Sequence, residues 1–229
     1  MAFQVAAAES IDPLARPWDK IFRSLRDSIC RNRIPTGTRI LLQGVAEDRG
    51  ASPKSVSDAF LLLAAEGLVE RNAPDHATVL PISERRLRNV MFLREQAEVE
   101  IVRQVSQTAD SDFLGELREQ ITRQKLVGLR GPRDLLRLDD RFHRTLADRV
   151  GHGTIWPYLE GWKLYNDRVR FTVEGSFTPS DMISQHSALV DRIAMRDAEG
   201  AAAAIRYHLR GALRRLPEQR LTHPDQFSD

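Results

Sequence analysis

In the stretch LLRLDDRFHRTL, Asp139 and His143 stand four residues apart. That spacing puts both on or beside one helical face, the apolar stripe of Leu135, Leu138, Phe142 and Leu146. His186 falls inside a second stripe formed by Met182, Ile183, Val190 and Ile193, with Leu189 beside it. His208 lies beside a third, formed by Ile205, Leu209, Ala212, Leu213 and Leu216. Burying an ionisable group without a partner costs on the order of a few kcal/mol. Four such groups on three core faces call for one shared explanation, and a bound divalent cation supplies it. Neutral imidazoles offer lone pairs, the carboxylate offers charge, and the ion offsets their desolvation. An i, i+4 pair on one helix with a ligand from each of two others suits a helical bundle. Such donors are compatible with zinc, nickel, manganese or iron. Taken singly, the same residues have plainer readings. A histidine on an apolar face is often a hydrogen-bonded core residue, and Asp139 could pair with Arg144 or cap a helix.

The elements that carry these residues are helical. Apolar spacing predicts helices over 87–109, 112–126, 133–150, 154–174, 180–195 and 197–216. Short loops join them, LRGP near 129, GHG at 151–153 and EGSFTPS at 174–180. Upstream the pattern changes. Apolar residues at 18, 21, 22, 25 and 29 predict a helix over 17–32, which IPTGT (34–38) breaks. GVAEDR (44–49) reads as a short second helix and Gly50–Ala51 as a turn. Ser52 and Pro53 then make a good helix start, and Gly67 a good stop. LVER and ATVLP flank a turn-rich NAPDH and read as a β-hairpin. Helix, short helix, turn, helix, hairpin is the order of a winged helix-turn-helix. The predicted fold is therefore mainly α. A flexible arm (1–14) leads into a winged helix-turn-helix (15–82). An all-helical bundle of about six helices (83–217) follows, and then a flexible tail (218–229).

Composition narrows the classes. The chain has 229 residues, ordinary apolar and charged fractions, and a single cysteine, Cys30, which excludes an intrachain disulfide and fits a reducing, cytoplasmic setting. No apolar run approaches the ~20 residues of a membrane span. The apolar start lacks a basic n-region and reads as an arm rather than a signal peptide. Net charge is +2, and residues 1–82 hold ten Lys/Arg against ten Asp/Glu. Composition alone does not point to nucleic acid, so a DNA reading rests on organisation.

Together the two halves resemble the GntR family of bacterial transcription regulators, in the FadR-like branch with a helical FCD effector domain. The resemblance covers about residues 15–216. It rests on NRIPTGTRI, VAEDRGASPKSVSDAFLLLAAEGLV and the hairpin in the first half, and on FLREQAEVE, DDRFH and the His186 to His208 arrangement in the second. It implies that Asp139, His143, His186 and His208 are the family's metal ligands. It also implies a small carboxylate effector near the metal, a homodimer, and a double-stranded DNA operator with two half-sites. Arg94 and Glu98 stand where the family's first effector-domain helix often has Arg and Glu. Arg168 and Arg170 are further candidates to face the same cavity and meet a carboxylate. His152 stands where the family usually has Asn, and reads as a loop residue without a role.

The departures concentrate on the DNA side. The family's recognition helix begins Ser-Arg-x-Pro-Val-Arg-Glu-Ala-Leu, and here the segment is SPKSVSDAF. The two usual arginines fall on Pro53 and Ser57, the usual Pro on Ser55, the Glu on Asp58 and the Leu on Phe60. The wing-tip Gly falls near His76, and the acid before the short helix near Leu42. The remaining DNA candidates are Arg39, Arg49, Ser52, Lys54, Ser55, Ser57 and Arg71. The leading expectation is a ligand-responsive transcription regulator. A sensor that has lost DNA binding and acts through protein contacts is a second. A metal hydrolase or lyase using Glu98 or Glu174 as base is a third, disfavoured by four protein ligands and a winged helix.

Overall fold

The computed structural model describes residues 16–128, 132–172 and 178–229, so the arm, Glu174 and parts of the loops near 129 and 174–180 lie outside the described residues. The chain separates into two compact units that divide between Leu80 and Pro81, except that Cys30–Asn32 group with the second.

The first unit runs α1 (Pro17–Cys30), β1 (Arg39–Leu41), α2 (Leu42–Arg49), α3 (Pro53–Ala65), β2 (Val69–Ala73) and β3 (His76–Val79). Ile21, Leu25 and Ile29 of α1 are buried, as are Val56, Ala59, Phe60 and Leu63 of α3. Gly50 joins α2 to α3 in the left-handed region at φ 57°, where a side chain would be strained. Ser52 starts α3, its Oγ accepting from the Ser55 N–H at 3.1 Å. The wing is a three-stranded antiparallel sheet ordered β1-β3-β2. Sequence periodicity predicts only the β2–β3 hairpin. β1 is too short to show an alternation, and only Ile40 of its three residues is buried.

The second unit opens with β4 (Ile82–Ser83) and α4 (Glu84–Thr108). It continues through α5 (Ser111–Gly128), α6 (Pro132–Arg149), α7 (Trp156–Thr172), α8 (Pro179–Ala194), α9 (Ala198–Leu209) and α10 (Gly211–Thr222), and ends in β5 (Phe227–Ser228). α4 packs against α6, α7, α8 and α9, which makes it the spine of the bundle. No helix among the described residues is long and apolar enough to cross a membrane.

Two details differ from the sequence reading. The helix expected over 197–216 breaks at Arg210, where Gly211 begins α10, so the described bundle has seven helices rather than six. Gly is a poor residue for a helix interior, and the apolar stripe continues across the joint, which hides the break from periodicity. The tail expected to be flexible from 218 is instead folded onto its own unit. α10 reaches Thr222, and β5 pairs in parallel with β4, Ile82 opposite Phe227. Phe227 is buried, and its apolar ring supplies the reason.

Candidate metal centre

α6 presents Asp139 and His143, α8 presents His186 and α9 presents His208. All four are at most 3% exposed. One ligand atom from each lies within 4.8 Å of the others. Asp139 Oδ1 is 3.5 Å from His143 Nε2, 3.3 Å from His186 Nε2 and 3.7 Å from His208 Nε2, while the Nε2 atoms of His143 and His208 are 3.1 Å apart. Four donors held at about 2.1 Å around one ion in a tetrahedron would stand about 3.4 Å apart.

Neighbouring side chains decide which nitrogen of each ring carries its proton. His143 Nδ1 donates to Glu98 Oε2, and Glu98 in turn accepts from Arg94 Nε. His186 Nδ1 donates to Gln124 Oε1 at 2.8 Å, and His208 Nδ1 to Gln185 Oε1 at 3.0 Å. Neutral His186 and His208 are thereby left with a lone pair on Nε2, aimed at the centre, whereas burial opposes the His143 charge but Glu98 and Asp139 outweigh it and raise its pKa. Asp139 Oδ1, Asp139 Oδ2 and His186 Nε2 are buried without a hydrogen-bond partner. Four buried ligand atoms this close together are a ready-made set for a cation, which would satisfy all of them at once. The residues therefore fit a divalent ion.

Charges around the centre reinforce this. Lys163 and Arg170, both on α7, place Nζ 3.3 Å and Nη1 3.6 Å from Asp139 Oδ2, and both also meet Asp167. Burial raises the Asp139 pKa, but Lys163 and the imidazoles outweigh it and hold the carboxyl well below its ordinary value. Burial likewise opposes the Glu98 charge, yet Arg94 and His143 bring it down to about 2. His208 is pushed well below the usual histidine range by burial and by the neighbouring rings, and burial lowers His186 as well. Both therefore favour the neutral, ligating form. Phe142 stacks on His186 with ring centres 4.2 Å apart, and Trp156 lies parallel to His143 at 6.3 Å.

The other candidates separate. Arg94 and Glu98 are both buried, and Glu98 is committed to Arg94 and His143 rather than free to act as a base. Arg94 Nη2 is buried without a hydrogen-bond partner. Arg170 reaches the centre, whereas Arg168 lies beside Tyr165, because residues two apart on a helix point in nearly opposite directions. A cavity of about 420 Å³ opens beside the centre, lined by His208, Gln185, Arg170, Tyr207, Arg214 and Arg215 among others. His152 bonds Gln104 at 3.2 Å, away from the four ligands.

Comparison with known proteins decides the family. The FCD domain family matches residues 89–211, more than half of the chain. An HTH-type transcriptional regulator from an unstable DNA locus of Streptomyces ambofaciens is 28% identical over 209 residues, covering 91% of this chain and 88% of that protein. The HTH-type transcriptional repressor RspR of Escherichia coli is 26% identical over 212 residues, covering 92% and 93%. The chain belongs to the GntR regulators that carry an FCD domain. Solved structures agree in fold. E. coli McbR/YncC superposes with a TM-score of 0.71 at 16% identity, covering 90% of this chain and 99% of that one. A GntR regulator from Rhodococcus gives 0.65 at 18%, covering 88% and 97%. These relatives are transcriptional regulators, not enzymes.

On the winged helix of this GntR regulator the DNA candidates form two groups. Arg49, Ser52 and Ser55 line a cleft of about 520 Å³ at the start of α3, together with Lys20, which sequence reasoning missed. Lys54 projects from the first turn of α3, and Ser57 is half-buried. Arg39 and Arg71 lie on the sheet, in β1 and β2. Several of these bases have acidic neighbours. Lys54 pairs with Asp58 at 3.2 Å, Arg49 with Asp48 at 3.0 Å and Arg39 with Asp75 at 3.6 Å. In the FCD half, Gln124, Gln185, Lys163 and Asp167 were also missed. Gln124 shares the buried face of Phe113, Leu117 and Ile121 with Gln120, and those two polar breaks were the available signal. Lys163 and Asp167 are an i, i+4 pair that resembles any surface pair until burial is known.

Proposed function

We propose that this regulator holds a divalent ion through Asp139, His143, His186 and His208, and senses a small organic acid beside it. One observation carries the reading: the Nε2 atoms of three buried imidazoles converge on Asp139 Oδ1, each within 3.7 Å of it. When bound, the ion supplies a Lewis-acidic centre that can accept a carboxylate oxygen. The protein's own residues extend the anion site. Arg94 has a buried, unbonded Nη2, Arg170 lines the neighbouring cavity, and Arg214 and Arg215 stand on that cavity's wall. The winged helix reads a palindromic operator as a homodimer in the cytoplasm, and the acid shifts the pose of the paired readers.

Elemental analysis of protein purified without chelator should find roughly one divalent ion per chain. Anisotropy titrations against DNA flanking its own gene, with and without metal and small organic acids, test the regulatory half. Failure to bind any of that DNA specifically in every ligand state would remove it. The acids beside Lys54, Arg49 and Arg39 favour one second reading, a sensor that acts through protein contacts. A protein that dimerises and binds its acid, but never shifts DNA, would establish that instead.

A further inference from the structure

Asp139 divides its two oxygens between two different environments. Oδ1 faces the three imidazoles at 3.3 to 3.7 Å, while Oδ2 faces Lys163 Nζ at 3.3 Å and Arg170 Nη1 at 3.6 Å. Of the two cations, Lys163 is the closer and the more buried, and its Nζ also reaches Asp167 Oδ2 at 2.5 Å. Ligation of an ion needs only Oδ1. A buried ammonium is costly, and a methionine would fill similar space more cheaply. Asp167 and Asp139 together offset that cost, and the Asp139 share matters most when no ion is there to hold the carboxylate. Without Lys163, metal-free Asp139 Oδ2 would be left to Arg170 at 3.6 Å, a guanidinium that also serves Asp167 at 3.1 Å.

We propose that Lys163 is a positioning residue for the metal centre, holding Asp139 in ligating geometry when no ion is bound. The inference rests on the metal reading given above and adds two consequences to it. The ammonium keeps the metal-free FCD domain folded, so the centre is a preformed site rather than one that folds around its ion. The same ammonium sits next to any arriving cation and repels it, which weakens metal affinity and keeps the ion exchangeable. Asp139 is restricted to ligation through one oxygen, because Lys163 occupies the other.

The test uses the full chain stripped with chelator, with zinc and manganese chlorides as probes. Melting temperature is read with and without metal, and metal affinity by calorimetry. In Lys163→Gln, metal-free melting should fall further than metal-loaded melting, and metal should bind roughly tenfold more tightly. Lys163→Arg should stay within about twofold of the parent affinity. Equal losses of melting temperature in both forms, with unchanged affinity, would show that Lys163 only packs, and overturn the proposal. If Lys163→Gln folds only when metal is present, the proposal stands. If it folds in neither state, the double variant Lys163→Gln/Asp139→Asn decides, since it also removes the carboxylate that Lys163 is proposed to hold. Restored metal-free folding supports the proposal and continued failure overturns it. A parent protein that binds neither ion would instead remove the metal reading itself.

Discussion

Gln124 fixes the tautomer of His186. Its amide N–H₂ group faces the Leu138 carbonyl at 3.4 Å, which turns its oxygen toward His186 Nδ1 at 2.8 Å. An oxygen there demands a proton on Nδ1, so Nε2 keeps its lone pair for the centre. Replacing Gln124 with Leu preserves the volume but removes the acceptor. Metal affinity should fall by about 10- to 100-fold while the fold survives. Competition titration against a chromophoric chelator measures this. An affinity within twofold of the parent would mean that His186 is oriented by packing, for instance against Phe142.

Asp140 carries a pH-dependent cost. Burial pushes its carboxyl up to about 6, Lys163 opposes that rise, and its Oδ1 has no hydrogen-bond partner. A raised pKa means that the folded protein binds this proton more tightly than the unfolded chain. The resulting stability is full below the ordinary carboxyl value and is lost as pH rises through about 6. Asp140→Asn in metal-free protein should therefore be more stable than the parent at pH 7.5, by about 1–3 kcal/mol. The gain should shrink toward zero near pH 4. Chemical denaturation at both pH values checks this, and a gain independent of pH would contradict it.

Phe227 ties the chain's end to its own unit. It is 8% exposed, opposite Ile82 in a two-stranded parallel pair. Phe227→Ala should cost about 1–3 kcal/mol, less than a central core phenylalanine because the pair lies at an edge. Hydrogen exchange at Ser83 and Ser228 should quicken in the same variant. An unchanged melting temperature would mean that the tail only rests on the surface.

Lys54 and Asp58 oppose each other in DNA binding. They pair at 3.2 Å on the first turns of α3. If α3 approaches a duplex, Lys54→Ala should weaken binding and lower the salt slope by about one. Asp58→Asn should strengthen binding, because it removes a carboxylate that repels phosphate. Anisotropy titrations at several salt concentrations read both effects. Equal affinities in all three proteins would place α3 away from the DNA.

The four converging side chains were legible because their helices are long and regular. His186 could be assigned inward from Met182, Ile183 and Val190 alone, and it is fully buried. The side chains that support them were not legible, for a physical reason. Gln124 and Gln185 act through single hydrogen bonds to rings on other helices, and no local period encodes such a pairing. Arg168 was misjudged for the opposite reason. Its charge drew it to the site, but helical geometry places it a half-turn from Arg170. β1 and β5 escaped because runs of two or three residues carry too little pattern.

Trp156 gives the centre an optical consequence. It is 1% exposed, while Trp18 and Trp162 are less fully buried, and its ring lies parallel to the His143 imidazole. An indole this close to an open-shell ion loses its excited state to that ion. Nickel or copper entering between the imidazoles would dim this residue's blue-shifted emission, and zinc would leave it bright. An ion held by these four side chains would thus be reported by the chain's own indole, without any added dye.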